Sequence, residues 1–276
     1  MLYEPGFRKP GPAPMLVLLH GCRQDAKDFA LGTRMNEAAE EAGVVVLYPE
    51  QSILANALRC WNWYARRYPR IKGSEAALIA AMTRYVMRDR DIDPARVYVA
   101  GMSAGGAMAA VLARNYPGLY AALGVHSGVP AGLAYDVFSA LRLMSRGPAD
   151  GQAGADLSSG NAVGHAVPSI VFHGDEDLTV HLSNGQAIHT APGADQIGPL
   201  PGGSLQATTH SGAGQHGFTR SVDYGVGGVT TRELWIVHGA GHAWAGGSNE
   251  GSHTDADGPD ASREMLRFFL QHRRTA

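Results

Sequence analysis

The stretch that decides the fold is Val97–Ala113, VYVAGMSAGGAMAAVLA. It runs from an apolar, β-branched segment through Gly-x-Ser-x-Gly into an alanine-rich segment, a pattern that predicts a strand, a tight turn and a helix. A reversal this tight needs small residues, and Gly101, Gly105 and Gly106 supply them. Such a turn lifts Ser103 above the sheet, beside the N-terminal amides of the next helix. The motif predicts a nucleophile, and a solvated serine in an ordinary turn is the alternative.

The composition is that of an ordinary globular chain. It has 276 residues, of which 45% are hydrophobic and 17% charged, and a net charge of −2. This length suits a single α/β domain over 1–276, and the charge gives no argument for binding nucleic acid or a membrane. The basic cluster 66–72 is interpreted as solvated surface. Because the N-terminus lacks the pattern of a signal peptide, we expect a cytoplasmic protein unless a leader has been removed.

Short apolar runs alternate with segments of helical period along the chain. Strands are predicted at Met15–Leu19, Val44–Tyr48, Val97–Ala100, Ala122–Val125, Ser169–Phe172 and Leu234–Val237. Helices are predicted at Thr33–Ala42, Glu75–Arg88, Ala104–Asn115 and Ala261–His272. The alternation predicts a doubly wound, mostly parallel sheet with helices on both faces, which binds ligands at the carboxyl ends of its strands. Two stretches, 126–167 and 184–232, are expected to cross the rim of that edge, the second returning through a hairpin near Asp223–Gly228.

Residues suited to nucleophilic catalysis follow three of the predicted strands. Ser103 follows one, Asp177 lies in HGDEDLTV after the next, and His242 lies in HGAGHAWAGG after LWIV. The order serine, acid, histidine is that of α/β hydrolases and of neither major serine protease family. Asp175 and His238 compete for two of these roles. Asp175 also suits the capping of a turn, and His238 suits packing or a bond to a neighbouring carbonyl, so we prefer Asp177 and His242.

The other histidines predict no metal site. His126, His181, His189 and His253 have no ligand spacing, and HTDADGPD lacks the length and the terminal glutamate of a calcium loop. No glycine-rich loop ends in Lys-Ser/Thr, the pattern that holds a nucleotide phosphate. We therefore expect no metal and no cofactor.

Six further stretches of the chain are distinctive: LVLLHGCRQDAKDFA, YPEQSILANALRCWNWY, DIDPARVYVAGMSAGGAMAA, VHSGVPAG, VFHGDEDLTV and GAGHAWAGG. With them the chain resembles the poly(3-hydroxybutyrate) depolymerase family of esterases, in its short-chain-length, signal-less type. The resemblance implies a carboxylesterase of the α/β-hydrolase fold with Ser103 as nucleophile, Asp177 as acid and His242 as base. Relatives usually carry one or two strands ahead of the His-Gly-Cys strand. Because about fourteen residues precede it here, either the start of the sheet is expected to be cut back or the given sequence is expected to be truncated.

The motif loops also contain residues that are predicted to bind the ester. The backbone N–H groups of Cys22 and Ala104 are the expected oxyanion hole. Trp61, Trp63 and Trp244 lie in the motif loops and are predicted to wall a cleft for an apolar acyl chain or a polyester strand. For Trp61 and Trp63 the alternative is that they pin a loop to the core. A feruloyl or acetyl esterase acting on polysaccharide would share this machinery and stays open as a second function.

The chain has two cysteines, Cys22 and Cys60. Both fall in loops that should meet at the same rim, and a bond between them would tie the Trp-rich loop to the oxyanion hole. Two free thiols are the default in a cytoplasmic protein and remain the alternative. Since a disulfide needs Cα atoms within ~7 Å, coordinates decide between the two.

Overall fold

The computed structural model describes residues 1–6, 10–64, 73–149, 167–190, 206–210 and 215–274. Within these ranges one large sheet runs in the order β1-β3-β2-β4-β5-β6-β9-β8-β7. Its strands are β1 (Leu2–Tyr3), β2 (Ala13–Leu19), β3 (Val45–Leu47), β4 (Ile92–Met102), β5 (Ala122–His126), β6 (Ser169–Gly174), β7 (Gln206–His210), β8 (Phe218–Tyr224) and β9 (Thr230–Val237). The six central strands of the sheet, which are β3, β2, β4, β5, β6 and β9, are parallel. Strands β1, β7 and β8 pair antiparallel with their neighbours. The predicted mostly parallel sheet is confirmed.

Both faces of the sheet are covered. Met15 and Val17 point into one core cluster, whereas Leu16 and Leu18 point into the other, and helices contribute residues to both clusters. Every residue of β2 is buried, which explains why this strand reads as an unbroken apolar run. The helices are α1 (Ala26–Thr33), α2 (Met35–Ala42), α3 (Glu75–Asp89), α4 (Ala104–Asn115), α5 (Val137–Arg146), α6 (Ser183–His189) and α7 (Ala261–Phe269). None of them, within the ranges described, is long and apolar enough to cross a membrane.

The helix predicted at Thr33–Ala42 corresponds to α2, which begins two residues later, and the separate helix α1 ahead of it was not predicted. Asp25 caps α1 by accepting the N–H groups of Lys27 and Asp28, and the left-handed Arg34, with φ 54°, separates α1 from α2. At the start of the sheet, β1 stands ahead of the His-Gly-Cys strand and pairs with β3. One strand of two residues is therefore present where a cut-back start was expected.

The stretch 184–232 was expected to cross the active-site rim, and much of its described part consists of strands of the large sheet. Strands β7 and β8 instead extend the sheet beyond β9. Most residues of β8 are only half-buried, and polar residues are tolerated at such positions. The sequence of β8 therefore contains no apolar run that would predict a strand. The predicted hairpin is confirmed, because Gly225 N–H donates to Val229 O between β8 and β9 (2.8 Å).

The other expected rim segment, 126–167, contains α5 in its described part. Residues 150–166 of that segment, 191–205 and 211–214 of the later stretch, and the basic cluster 66–72 lie outside the described residues.

Candidate active site

Ser103 lies at the turn between β4 and α4. Its backbone has φ 55° and ψ −122°, a conformation that is rare for a residue with a side chain and is found where surrounding structure enforces it. The Ser103 N–H donates to His126 O at the end of β5 (2.9 Å), which anchors the turn to the neighbouring strand. The predicted strand, turn and helix around Ser103 are thereby confirmed.

Glycine is required on both sides of this turn by close packing. A Cβ on Gly101 would lie 2.5 Å from the carbonyl carbon of Gly105, and one on Gly105 would lie 2.2 Å from Leu19 O, closer than real Cβ atoms approach. The absence of these side chains lets the start of α4 rest against the end of β2. The turn that follows β2 consequently lies beside the serine, since a Cβ on Gly21 would be 3.6 Å from Ser103 Cβ.

The buried Asp177 and the partly buried His242 form a pair at the ends of two neighbouring strands. His242 Nδ1 lies 2.7 Å from Asp177 Oδ2, and the other carboxylate oxygen accepts the N–H groups of Thr179 (2.9 Å) and Val180 (2.8 Å). Burial by itself raises the pKa of Asp177, but the hydrogen bond and charge of His242, with the Val180 N–H, hold that pKa below its usual value. Asp177 is therefore an ionised acceptor that orients the His242 ring.

The competing residues form a second pair. His238 Nδ1 lies 2.8 Å from Asp175 Oδ2, and Gly239 N–H donates to Asp175 Oδ1 (2.7 Å). Asp175 thus holds a turn, as the alternative reading had it, whereas His238 is paired with a carboxylate and not with a carbonyl. His238 Nε2 is occupied by Thr219 Oγ1 at 2.9 Å. This contact favours His242 over His238 as the base for Ser103.

The order of strands brings Ser103, Asp177 and His242 to one edge. They follow β4, β6 and β9, and only β5 intervenes between β4 and the adjacent pair β6 and β9. Among the described residues no hydrogen bond joins Ser103 Oγ to His242. The contact that completes a catalytic triad stays a prediction, as does the division of roles.

A buried histidine for which the sequence predicts no role in the site connects these parts. His126 is 1% exposed and its ring is stacked between Phe172 and Trp244, with centroids 5.8 and 5.0 Å away. Its Nε2 accepts the Ala245 N–H (3.0 Å), so Nδ1 carries the proton toward Ser127 Oγ (3.1 Å). Burial, reinforced by the nearby imidazoles of His173 and His242, lowers the pKa of His126 to about 3. His126 is therefore a neutral link between the serine turn and the segment after His242.

The two N–H groups expected to form the oxyanion hole flank the serine. Ala104 is the first residue of α4, so its N–H has no acceptor inside the helix. Across the part of the chain that the structure describes, neither the Cys22 nor the Ala104 N–H donates to a protein atom. Both remain available to a ligand oxygen, and their role in an oxyanion hole stays a prediction.

Cys22 and Cys60 form a disulfide, with Cα atoms 4.3 Å apart. The predicted bond is confirmed, and the alternative of two free thiols is wrong. Two further contacts tie the same segments together, because Arg23 N–H donates to Leu58 O (2.7 Å) and the Trp61 indole N–H donates to His20 O (3.0 Å). The loop with Cys60 and the turn with Cys22 consequently behave as one unit.

The expectation that three tryptophans wall a cleft is wrong for two of them. Trp61 is 3% exposed and Trp244 1% exposed, and both indole N–H groups have protein acceptors, His20 O and Ser262 Oγ. A buried indole needs such an acceptor, and spacing along the sequence does not reveal whether one is present. Trp63 is only partly buried and packs edge-on against Tyr64 at 5.5 Å. It remains the candidate for contact with a substrate.

The sequence of this chain is similar to those of known depolymerases and esterases. Residues 2–197 match the family model described as Esterase PHB depolymerase. Poly(3-hydroxyalkanoate) depolymerase C of Paucimonas lemoignei is 30% identical over 240 residues, covering 84% of this chain and 55% of that protein. Acetylxylan esterase A of Emericella nidulans is 28% identical over 193 residues, covering 66% of this chain and 62% of that protein. The chain spans less than two thirds of either relative.

Among solved structures, an acetyl xylan esterase from Aspergillus awamori has a TM-score of 0.71 at 20% identity, with 98% of this chain and 93% of that one covered. A likeness of this kind is informative about the fold alone. Together with the mostly parallel sheet and its strand order, it shows that the chain has the α/β-hydrolase fold.

Proposed function

Because the chain belongs to the esterase PHB depolymerase family, we propose that it is a serine esterase that hydrolyses short-chain hydroxyalkanoate esters through an acyl-enzyme. The observation that carries the proposal is the partly buried Asp177–His242 pair, with His242 Nδ1 2.7 Å from Asp177 Oδ2, at the sheet edge where the strained Ser103 turn also lies. An ionised carboxylate, an imidazole and a serine hydroxyl at such an edge are the parts that acyl transfer requires.

The chemistry follows from which nitrogen of His242 holds the proton. Nδ1 donates to Asp177, so Nε2 has the lone pair and takes the proton from Ser103 Oγ as that oxygen attacks the ester carbonyl. The N–H groups of Cys22 and Ala104 stabilise the oxyanion of the tetrahedral intermediate. His242 then gives its proton to the departing alcohol, which leaves an ester between the acyl group and Ser103. Water activated by His242 hydrolyses that ester and releases the acid.

A second candidate function is the removal of acetyl or feruloyl groups from polysaccharide. It is favoured by the acetylxylan esterase relative, which covers 66% of this chain. The Ser103, His242 and Asp177 machinery is the same for both functions, so the two differ only in the acyl group and in the alcohol that leaves.

The disulfide bears on where the protein works. Disulfides persist in oxidising compartments and are rare where glutathione keeps thiols reduced. The Cys22–Cys60 bond therefore supports a place outside the reducing cytoplasm, in contrast to the cytoplasmic location expected from the N-terminal sequence.

The test compares initial rates on four substrates: soluble 3-hydroxybutyrate oligomers, poly(3-hydroxybutyrate) granules, methyl ferulate and acetylated xylan. We expect the highest kcat/KM on the hydroxybutyrate oligomers, with 3-hydroxybutyrate as the released acid. Ser103→Ala serves as the control and should lose hydrolysis of all four substrates. Faster release of acetate or ferulate would instead establish the second function.

A further inference from the structure

Gln24 is a buried side chain that the proposed mechanism does not use. It is 2% exposed and lies two residues after Cys22, in the His-Gly-Cys-x-Gln motif. A buried amide needs partners for both its oxygen and its nitrogen. Here Oε1 accepts the Gly21 N–H (2.9 Å), and Nε2 donates to Asp28 Oδ2 (3.0 Å) and to Ser252 O (3.0 Å).

The contact with Gly21 bears on the direction of the Cys22 N–H, because the Gln24 side chain holds the peptide group that directly precedes the one carrying that N–H. The Gly21 carbonyl and the Cys22 N–H belong to one planar peptide group and point in opposite directions. Gly21 O is held by His20 Nδ1 (2.7 Å) and by the Gln24 backbone N–H (3.4 Å), while the Gln24 side chain holds the Gly21 N–H. Gln24 therefore contributes to fixing the peptide groups on both sides of Gly21, beside Ser103.

The other end of the side chain reaches the segment that follows His242. Ser252 donates from its N–H and its hydroxyl to Asp28, at 2.9 and 2.6 Å. The next residue, His253, accepts the Trp244 N–H at its carbonyl oxygen (2.7 Å). Because Trp244 is two residues past His242, a continuous set of hydrogen bonds runs from the Cys22 turn through Gln24 to the segment that carries His242.

We propose that Gln24 is a positioning residue for ester hydrolysis, whose side chain aims the Cys22 N–H at the oxyanion and keeps that turn in register with the His242 segment. This inference rests on the proposed function. Its effect belongs to the transition state, because the oxyanion develops only there. Loss of the Gln24 amide should lower kcat and leave substrate binding almost unchanged.

The experiment compares the wild-type chain and Gln24→Met, both with the disulfide intact. It measures kcat and KM on p-nitrophenyl butyrate and the Ki of a trifluoromethyl ketone, which forms a hemiketal oxyanion on the serine. Removal of an oxyanion donor costs about 10²–10³ in kcat, so a misaimed donor should cost about 10–100-fold. We expect Ki to rise by the same factor as kcat falls, with KM within about twofold.

A matched control and a second Gln24 variant separate positioning from a general loss of stability. Thr33→Val removes another buried side-chain hydrogen bond of the same region, to Phe29 O (2.7 Å), and should lower Tm without changing Ki. If Gln24→Met does not fold, Gln24→Asn retains an amide that is too short to reach the Gly21 N–H and carries the same expectation.

Unchanged kcat and Ki in a folded Gln24 variant would overturn the inference. An equal rise of Ki in Thr33→Val would do so as well, because it would trace the effect to general loosening. If the wild-type chain neither hydrolyses the ester nor binds the ketone, the proposed function has failed instead.

Discussion

Acidification should destabilise the protein through His126, and the size of the effect follows from its burial. Its pKa is lowered from 6.5 to about 3 on folding, so the unfolded chain binds the proton more tightly than the folded one. The stability that neutral His126 contributes is complete above pH 6.5 and is lost as the pH falls from there toward 3. The full loss is about 5 kcal/mol, and the part lost between pH 7 and pH 5 is about 2 kcal/mol.

The assay measures the free energy of unfolding in urea at pH 5, 6 and 7 for wild type and His126→Gln. Glutamine does not titrate, and its amide oxygen is a substitute acceptor for the Ala245 N–H. The difference between the two proteins cancels the titration of other groups, including His173. We expect the stability advantage of wild type to shrink by about 2 kcal/mol from pH 7 to pH 5. A difference that stays constant with pH would refute the reasoning.

Three further predictions concern the aspartates, the disulfide and the substrate. Asp177→Asn should lower kcat by about 10⁴-fold, whereas Asp175→Asn should lower it less than tenfold; the reverse ranking in steady-state kinetics would identify the wrong aspartate. Cys60→Ser opens a loop with a sequence separation of 38 and should cost about 4 kcal/mol in urea unfolding, with a fall in kcat as the Cys22 N–H loosens; full activity and stability would contradict this. Soluble or amorphous hydroxyalkanoate esters should be turned over faster than crystalline polymer, and efficient clearing of crystalline films would be the contrary result.

The parts of the site that local sequence governs could be predicted. The turn at Ser103 is such a part, because Gly101 and Gly105 are required by contacts within a few residues and by the strand next to it. The pairing of Asp177 with His242 followed from their positions after strands that are neighbours in the sheet. The cysteine bond followed from the same placement of loops at one edge.

Features that depend on distant contacts were not predictable. Gln24 meets Ser252 across 228 residues, and no spacing in the sequence indicates that pair. His126 looked like one of several scattered histidines, and only its burial between Phe172 and Trp244 shows what it does. Trp244 was expected at a cleft because it follows His242 closely, but its indole is turned into the core toward Ser262.

The central claim is that Ser103 is the nucleophile of an esterase, and covalent labelling tests it most directly. The wild-type chain and Ser103→Ala are incubated with a fluorophosphonate, and the mass of each intact protein and of its peptides is measured beside its rate of ester hydrolysis. We expect the wild-type chain to form one adduct, on the peptide that contains Ser103. The Ser103→Ala protein should have an unchanged Tm and show neither labelling nor ester hydrolysis. An adduct on another residue, or hydrolysis by Ser103→Ala within about tenfold of wild type, would contradict it.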